Sequence, residues 1–216
     1  QNILDKNDLI LQESGCVGSE NERGNTYMKK IGIVTDSHSS ISQEEAEKLG
    51  IFVLPMPFYI DGECYYESVT LSRELFFEKL AAGADITTSQ PSPTAVMEIW
   101  DKALEQFEKI LYMPISSGLS GSYETAMMLA KDEAYEGRVL VVDDGQVAAP
   151  LHQMVLDTLD MIEKGYEAEQ IRDLLERAGD RMMIYIALQT LECLKKGGRV
   201  TPAAAALGSV FNIKPI

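Results

Sequence analysis

Hydroxyl side chains gather in three short clusters of this sequence. The richest is "YMPISSGLSGSYETAMML", residues 112 to 129, where four serines and two glycines separate an apolar run from a helix-like pattern. The others are "TDSHSS", residues 35 to 40, and "TTSQPSP", residues 87 to 93. A serine ahead of a helix has a plain use as an N-cap. Several together have a second use. Rotatable O–H donors beside free helix N–H groups, at the end carrying roughly half a positive charge, can hold an anionic head group without any arginine. A cap accounts for any one cluster taken alone. Three clusters at one edge favour a ligand site.

Other chemistries have thin support. The G-x-x-x-x-G-K-[ST] phosphate loop and the G-x-G-x-x-G dinucleotide fingerprint are both missing. A nucleophile elbow, G-x-S-x-G, is approached by Gly118, Leu119, Ser120 and Gly121, but Ser122 stands where the last glycine belongs. His38 lies near the proposed edge and is available as a base. A serine hydrolase or esterase acting on a small acyl substrate is therefore the alternative reading. Cys16, Cys64 and Cys193 are far apart and form no C-x-x-C pair, which argues against a disulfide framework or a zinc site. The two histidines, His38 and His152, have no metal-ligand spacing. We expect no catalytic metal, no cofactor and no hydrolytic triad.

Composition bounds the rest. The chain has 216 residues, 45% hydrophobic and 25% charged, as in an ordinary globular protein. Its formal net charge of -15 repels nucleic acid and anionic membranes, so neither is an expected partner. No apolar run is long enough to span a bilayer, and a monomeric cytoplasmic protein is expected. Residues 1 to 27 are polar and lack an apolar signal core, whereas Met28 opens "MKKIGIVTDS" like a natural start. The first 27 residues are read as a flexible leader or extension.

The elements that must position the hydroxyls alternate along the chain. "KIGIVT" is a strand, and "SQEEAEKLG" a helix with Ser42 and Glu45 as capping box and Gly50 as stop. "IFVLPMPFYI" is strand interrupted by prolines, and "ECYYESV" pairs back across the Asp61–Gly62 turn. Ser72 caps the next helix, which Gly83 ends. Ser92 and Pro93 begin a helix whose apolar face is Ala95, Ile99, Leu104 and Phe107. "ILYMPI" and "RVLVVD" are strands, and "YETAMMLAKDEAYEG", "PLHQMVLDTLDMIEKG" and "EAEQIRDLLERAG" are helices. "MMIYIAL" reads as strand, "TLECLKKGG" as a short helix and "TPAAAALGSVFN" as a last helix. Strands alternating with helices predict an α/β fold with a largely parallel sheet, whose ligands bind beyond the carboxyl ends of the strands.

"TDS", "TTSQPSP", "ISSGLSGSYETA" and "LKKGGRVTPAAAALG…IKPI" come in the order and spacing of the DegV family, which residues 29 to 216 resemble. The resemblance implies a non-enzymatic bacterial lipid carrier. It would hold a long-chain, palmitate-like fatty acid in an apolar tunnel and present it to a separate fatty acid kinase, a step of phospholipid metabolism. It places the carboxylate-binding pair on Thr88 and Ser120, supported by Ser89 and the backbone of Gly121, and kinase docking on Arg199. The loop "DDGQVAAP" departs from the family's usual aspartate–serine pattern. Family members also continue beyond "IKPI", with a histidine that completes the carboxylate site. The expected organisation is therefore a DegV-like N-terminal α/β domain over 28–150 and an incomplete second α/β domain over 151–216.

Overall fold

A computed structural model describes residues 29–67, 69–185 and 192–199. The leader and the expected last helix lie outside these residues.

Four parallel strands form the first sheet: β1 (Lys29–Asp36), β2 (Phe52–Leu54), β6 (Phe107–Met113) and β7 (Val139–Val141), in the order β2-β1-β6-β7. Register sets Ile33 beside Leu111 and Leu111 beside Leu140. The strands alternate between two buried faces. Ile31, Ile33, Leu111, Met113, Leu140 and Val142 enter one core, whereas Val34, Ile110, Tyr112, Val139 and Val141 enter the other. Both faces are apolar because both are covered, as a parallel sheet requires.

The first core is closed by α1 (Gln43–Leu49), α5 (Ala148–Glu163) and α6 (Ala168–Gly179), through Ala46, Leu151, Met154, Val155, Met161, Ile171 and Leu175. The expected domain boundary between 150 and 151 thus falls inside α5, whose buried face joins the core of the parallel sheet. The second core is closed by α3 (Pro93–Leu104) and α4 (Ser122–Leu129), through Val96, Trp100, Ala103 and Ala126. Trp100 is fully buried and meets Tyr112 and Tyr135 edge-on, with ring centroids 5.3 and 5.2 Å apart.

A second sheet is antiparallel. It contains β3 (Pro57–Ile60), β4 (Glu63–Tyr66) and β5 (Ile86–Thr88), in the order β4-β3-β5. The predicted hairpin across Asp61–Gly62 is its β3–β4 pair, with Gly62 at φ 87°. α2 (Arg73–Ala81) has no buried residue and leaves Leu75, Phe77 and Leu80 exposed. α7 (Glu192–Lys196) is the last described helix.

Caps follow the sequence closely. Ser42, Ser72 and Ser92 each accept the N–H three residues on, and Gly50 closes α1 at φ 68°. Three expectations are corrected. Phe107 is not on the helix face but opens β6, because the ring lies where a side chain at Gly32 would be, 2.6 Å from an ideal Cβ there. The helix expected over "YETAMMLAKDEAYEG" ends at Leu129, followed by turns. Met182–Tyr185 of "MMIYIAL" form no strand; Met183 and Tyr185 are exposed, and the rest of that stretch lies outside the described residues.

Candidate head-group site

Parallel strands deliver their carboxyl ends to one edge, so the loops after β1, β6 and β7 meet there. Asp36, the last residue of β1, is fully buried and ties two of them. Its Oδ1 accepts from the His38 backbone N–H at 2.9 Å and lies 3.2 Å from His38 Nδ1, while Oδ2 accepts from Ile115 N–H at 2.8 Å. Burial pulls the His38 ring toward neutrality, but hydrogen bond and charge from Asp36 outweigh it, leaving its pKa raised. The β7–α5 loop grips the serine loop from the other side. Ser116 N–H donates to Gln146 O at 3.0 Å, and Ser117 N–H to Asp143 Oδ1 at 3.3 Å.

The second cluster in chain order, "TTSQPSP", arrives differently from expectation. Thr88 ends β5, which belongs to the antiparallel sheet and not to the parallel one. Met56 N–H donates to Ser37 Oγ at 3.2 Å, and Ser89 N–H to Pro57 O at 3.4 Å, so the β2–β3 link joins the first cluster to the second. Gln90 then bridges to the third. Thr125 Oγ1 lies 3.5 Å from Gln90 Oε1, and an ideal Cβ on Gly121 would stand 3.0 Å from the same oxygen. All three hydroxyl clusters are thus linked around one edge.

The predicted site residues divide by role. Ser92 is taken up as the cap of α3, but Thr88 and Ser89 are exposed and cap nothing. Ser89 Oγ donates to Gln90 O at 3.0 Å. Ser120 is half-buried, with its Oγ 2.8 Å from Ser122 Oγ and accepting from Ser122 N–H at 3.3 Å. Gly121 is the N-cap of α4 and supplies no side-chain cap, and the first helical N–H, of Ser122, is taken by Ser120 Oγ instead. Arg199 follows the α7 turn, where Gly198 takes φ 74°. It is exposed, donating from Nε to Leu119 O at 3.4 Å and from Nη1 to Gly197 O at 2.6 Å. It therefore lies against the serine loop.

Asp36 and His38 resemble the acid–imidazole half of a triad. Among the described residues, however, no histidine nitrogen reaches Ser120 Oγ, whose partners are the hydroxyl and N–H of Ser122. No cluster of three or more His, Cys, Asp or Glu suited to a metal is found among the described residues. Two open grooves border the parallel sheet. One of about 510 Å³ lies between α1, β2 and α3, and one of about 420 Å³ between α4, β7 and α6; no hydroxyl-loop residue lines either. An apolar surface does adjoin the hydroxyls. Thr88 stands across from Phe58, whose ring stacks on Tyr65 at 5.9 Å and meets Phe76 edge-on at 5.6 Å.

The family model described as uncharacterised proteins of the DegV family matches residues 30–216. The chain belongs to the DegV family. Its parallel sheet with flanking helices matches the DegV fold. A DegV domain-containing protein of Caldanaerobacter subterraneus is 32% identical over 88% of this chain and 67% of its own length. One from Deinococcus radiodurans is 35% identical over 86% of this chain and 66% of its own. Among solved structures, a DegV family protein from Thermus thermophilus described by its fatty acid binding aligns with TM-score 0.76 and 35% identity, covering 86% of this chain and 66% of that one. A stearic acid-binding protein from Eubacterium ventriosum aligns with TM-score 0.67 and 27% identity, over 84% and 64%. The chain thus spans about two thirds of the length of these DegV relatives.

The sequence motifs mark the hydroxyls but not Gln90, Asp36 and Gln146, which link the loops that carry them. Gln90 lies inside "TTSQPSP" and Asp36 ends a strand, so a signal exists for both. Gln146 acts through its backbone carbonyl, which side-chain motifs do not report.

Proposed function

We propose that this protein binds a long-chain fatty acid and presents it to a separate kinase without chemistry of its own. The carboxylate is held by the hydroxyls of Thr88 and Ser120, with Ser89 and the backbone of Gly121 in support. The observation that carries this reading is the placement of Thr88. Thr88 pairs in register with Phe58, beside the Tyr65 and Phe76 rings, and two residues further on Gln90 Oε1 stands 3.5 Å from Thr125 Oγ1 and next to Gly121. A polar anchor joined to an apolar surface suits an amphiphile with one anionic end. Solved DegV relatives described as fatty acid-binding support the same ligand class.

The energetics divide accordingly. Each charge-assisted hydrogen bond to the carboxylate contributes about 1.5–3 kcal/mol. Each buried methylene adds about 0.8 kcal/mol before the entropy of binding is charged against it. The chain supplies affinity and the hydroxyls fix the position of the head. Arg199, beside the serine loop, is the contact for the kinase, since its planar fork suits an acidic or phosphate-bearing surface.

Mass spectrometry of lipid extracted from the purified protein tests this. A co-purifying fatty acid near one equivalent is expected. Lipid-free protein that neither binds added palmitate nor leaves ester substrates untouched points to the hydrolase instead.

A further inference from the structure

The β7–α5 loop contains a feature that head-group binding does not use. Asp144 and Gln146 are 1% and 2% exposed. Gln146 N–H donates to Asp144 Oδ1 at 2.9 Å, and Gln146 Nε2 donates to Asp144 O at 2.9 Å. Each side chain is left with one acceptor that has no partner among the described residues, Asp144 Oδ2 and Gln146 Oε1. Two buried acceptors on side chains already wrapped around each other are costly if both remain unmade. A proton on Asp144 would turn its unpartnered Oδ2 into a donor, and Gln146 Oε1 is the unpartnered acceptor on the side chain already bonded to the same residue. The loop has little room to escape. An ideal Cβ on Gly179, at the end of α6, would lie 2.0 Å from Asp144 O, so the helix end presses directly on that peptide.

We propose that Asp144 is held as a neutral acid whose hydroxyl donates to Gln146 Oε1, and that this closed pair positions the serine loop of the head-group site. The inference deepens the fatty-acid reading and rests on it only for the identity of the ligand. The link to the site is direct, because Gln146 O accepts Ser116 N–H and neighbouring Asp143 accepts Ser117 N–H. The surroundings favour the neutral form. Burial chiefly pushes the Asp144 carboxyl up, to about 7, with the Gln146 N–H acting against it and the charges of Asp143 and Asp36 adding to it. The ionisable groups around the loop are Asp143 within it, Asp36 with its His38 at the end of β1, and Glu176 of α6 with Arg172 beside it. The acids acting on Asp144 itself, Asp143 and Asp36, both raise it.

The sign follows. A carboxyl whose folded pKa lies above its unfolded value favours the fold when protonated. That contribution is complete at low pH and is lost as pH rises through about 7. Above this, an ionised Asp144 faces Gln146 Oε1 with no donor, and the grip on Ser116 and Ser117 loosens.

Amide hydrogen exchange of Ser116 and Ser117, corrected for intrinsic rate, tests this without any ligand. Protection should fall about tenfold from pH 6 to pH 8.5 in the wild type and stay flat in Asp144→Asn, whose amide donates at every pH. Carbon-13 NMR of aspartate-labelled wild type should show one carboxyl titrating near neutrality, a readout that survives if the variant does not fold. Palmitate binding should follow the same pH profile. Wild-type protection that is flat with pH, or the absence of a near-neutral carboxyl, overturns the proposal whether or not palmitate binds. A pH-dependent loop in a protein that binds palmitate at no pH leaves this inference standing and removes the fatty-acid reading.

Discussion

Thr88 and Ser120 are an unequal pair. Ser120 is half-buried and already engaged with Ser122, so it offers a pre-oriented hydroxyl. Thr88 is exposed, and its hydroxyl has no hydrogen-bond partner among the described residues. Both were legible from the sequence as hydroxyls next to helix starts, because cap chemistry and anion chemistry call for the same residue types. What separates the two uses is tertiary. Ser92 takes the cap of α3, and that leaves Thr88 unexplained by local structure. Thr88→Val keeps shape and β-branching while removing the donor. We expect palmitate affinity to fall roughly tenfold, the weight of one charge-assisted bond, with stability changed by less than about 0.5 kcal/mol. Fluorescent-ligand displacement alongside urea denaturation checks both halves. Unchanged affinity would count against the head-group assignment.

At the scale of elements, caps and turns were the legible part, since each is a short-range matter of one side chain and one N–H. Ser42, Ser72, Ser92 and Gly50 all behave as their types require. The antiparallel sheet was only half legible: the Asp61–Gly62 hairpin has a local signal, whereas pairing of β5 with β3 is a long-range match that no dipeptide announces. Phe107 was misplaced for a related reason. No glycine or proline stops α3 after Leu104, and the ring belongs to β6 because Gly32 leaves room for it. The second core gives a sharp test of packing against polarity. Trp100 and Tyr112 are both fully buried, and neither Trp100 Nε1 nor Tyr112 Oη has a partner among the described residues. Burial, then the charge of Asp36, pushes the Tyr112 hydroxyl far above the usual tyrosine range, so it stays neutral. Tyr112→Phe removes an unpaired hydroxyl while keeping the ring against Trp100. It should be neutral or stabilising by up to about 1 kcal/mol. Trp100→Ala empties the centre of the same cluster and should cost about 3–5 kcal/mol. Equilibrium denaturation of the two variants decides it; a strongly destabilised Tyr112→Phe would mean that its hydroxyl has a partner after all.

At the scale of the whole molecule, charge makes Arg199 unusual. The chain carries -15, yet Lys195, Lys196 and Arg199 stand together where α7 ends beside the serine loop. Their local uses differ. Lys196 pairs with Asp85 at 3.0 Å, tying α7 to the approach of β5. Among the described residues, the Arg199 guanidinium donates to the carbonyls of Leu119 and Gly197, and no carboxylate within 4.0 Å pairs with it. Carbonyl contacts at a helix end explain one edge of the guanidinium and are worth little at an exposed site. Arg199→Ala should therefore cost less than about 0.5 kcal/mol of stability and leave palmitate affinity within about twofold, while acyl-phosphate formation with a cognate kinase drops at least about tenfold. Arg199→Lys should recover only part of that loss, because an ammonium keeps the charge and lacks the planar fork. The kinase assay and the binding assay must be run on the same preparations. An Arg199→Ala protein that melts earlier and loses palmitate, while its remaining complex is phosphorylated at the wild-type rate, would make the arginine a clamp on the Leu119 carbonyl and assign docking to some other part of the surface.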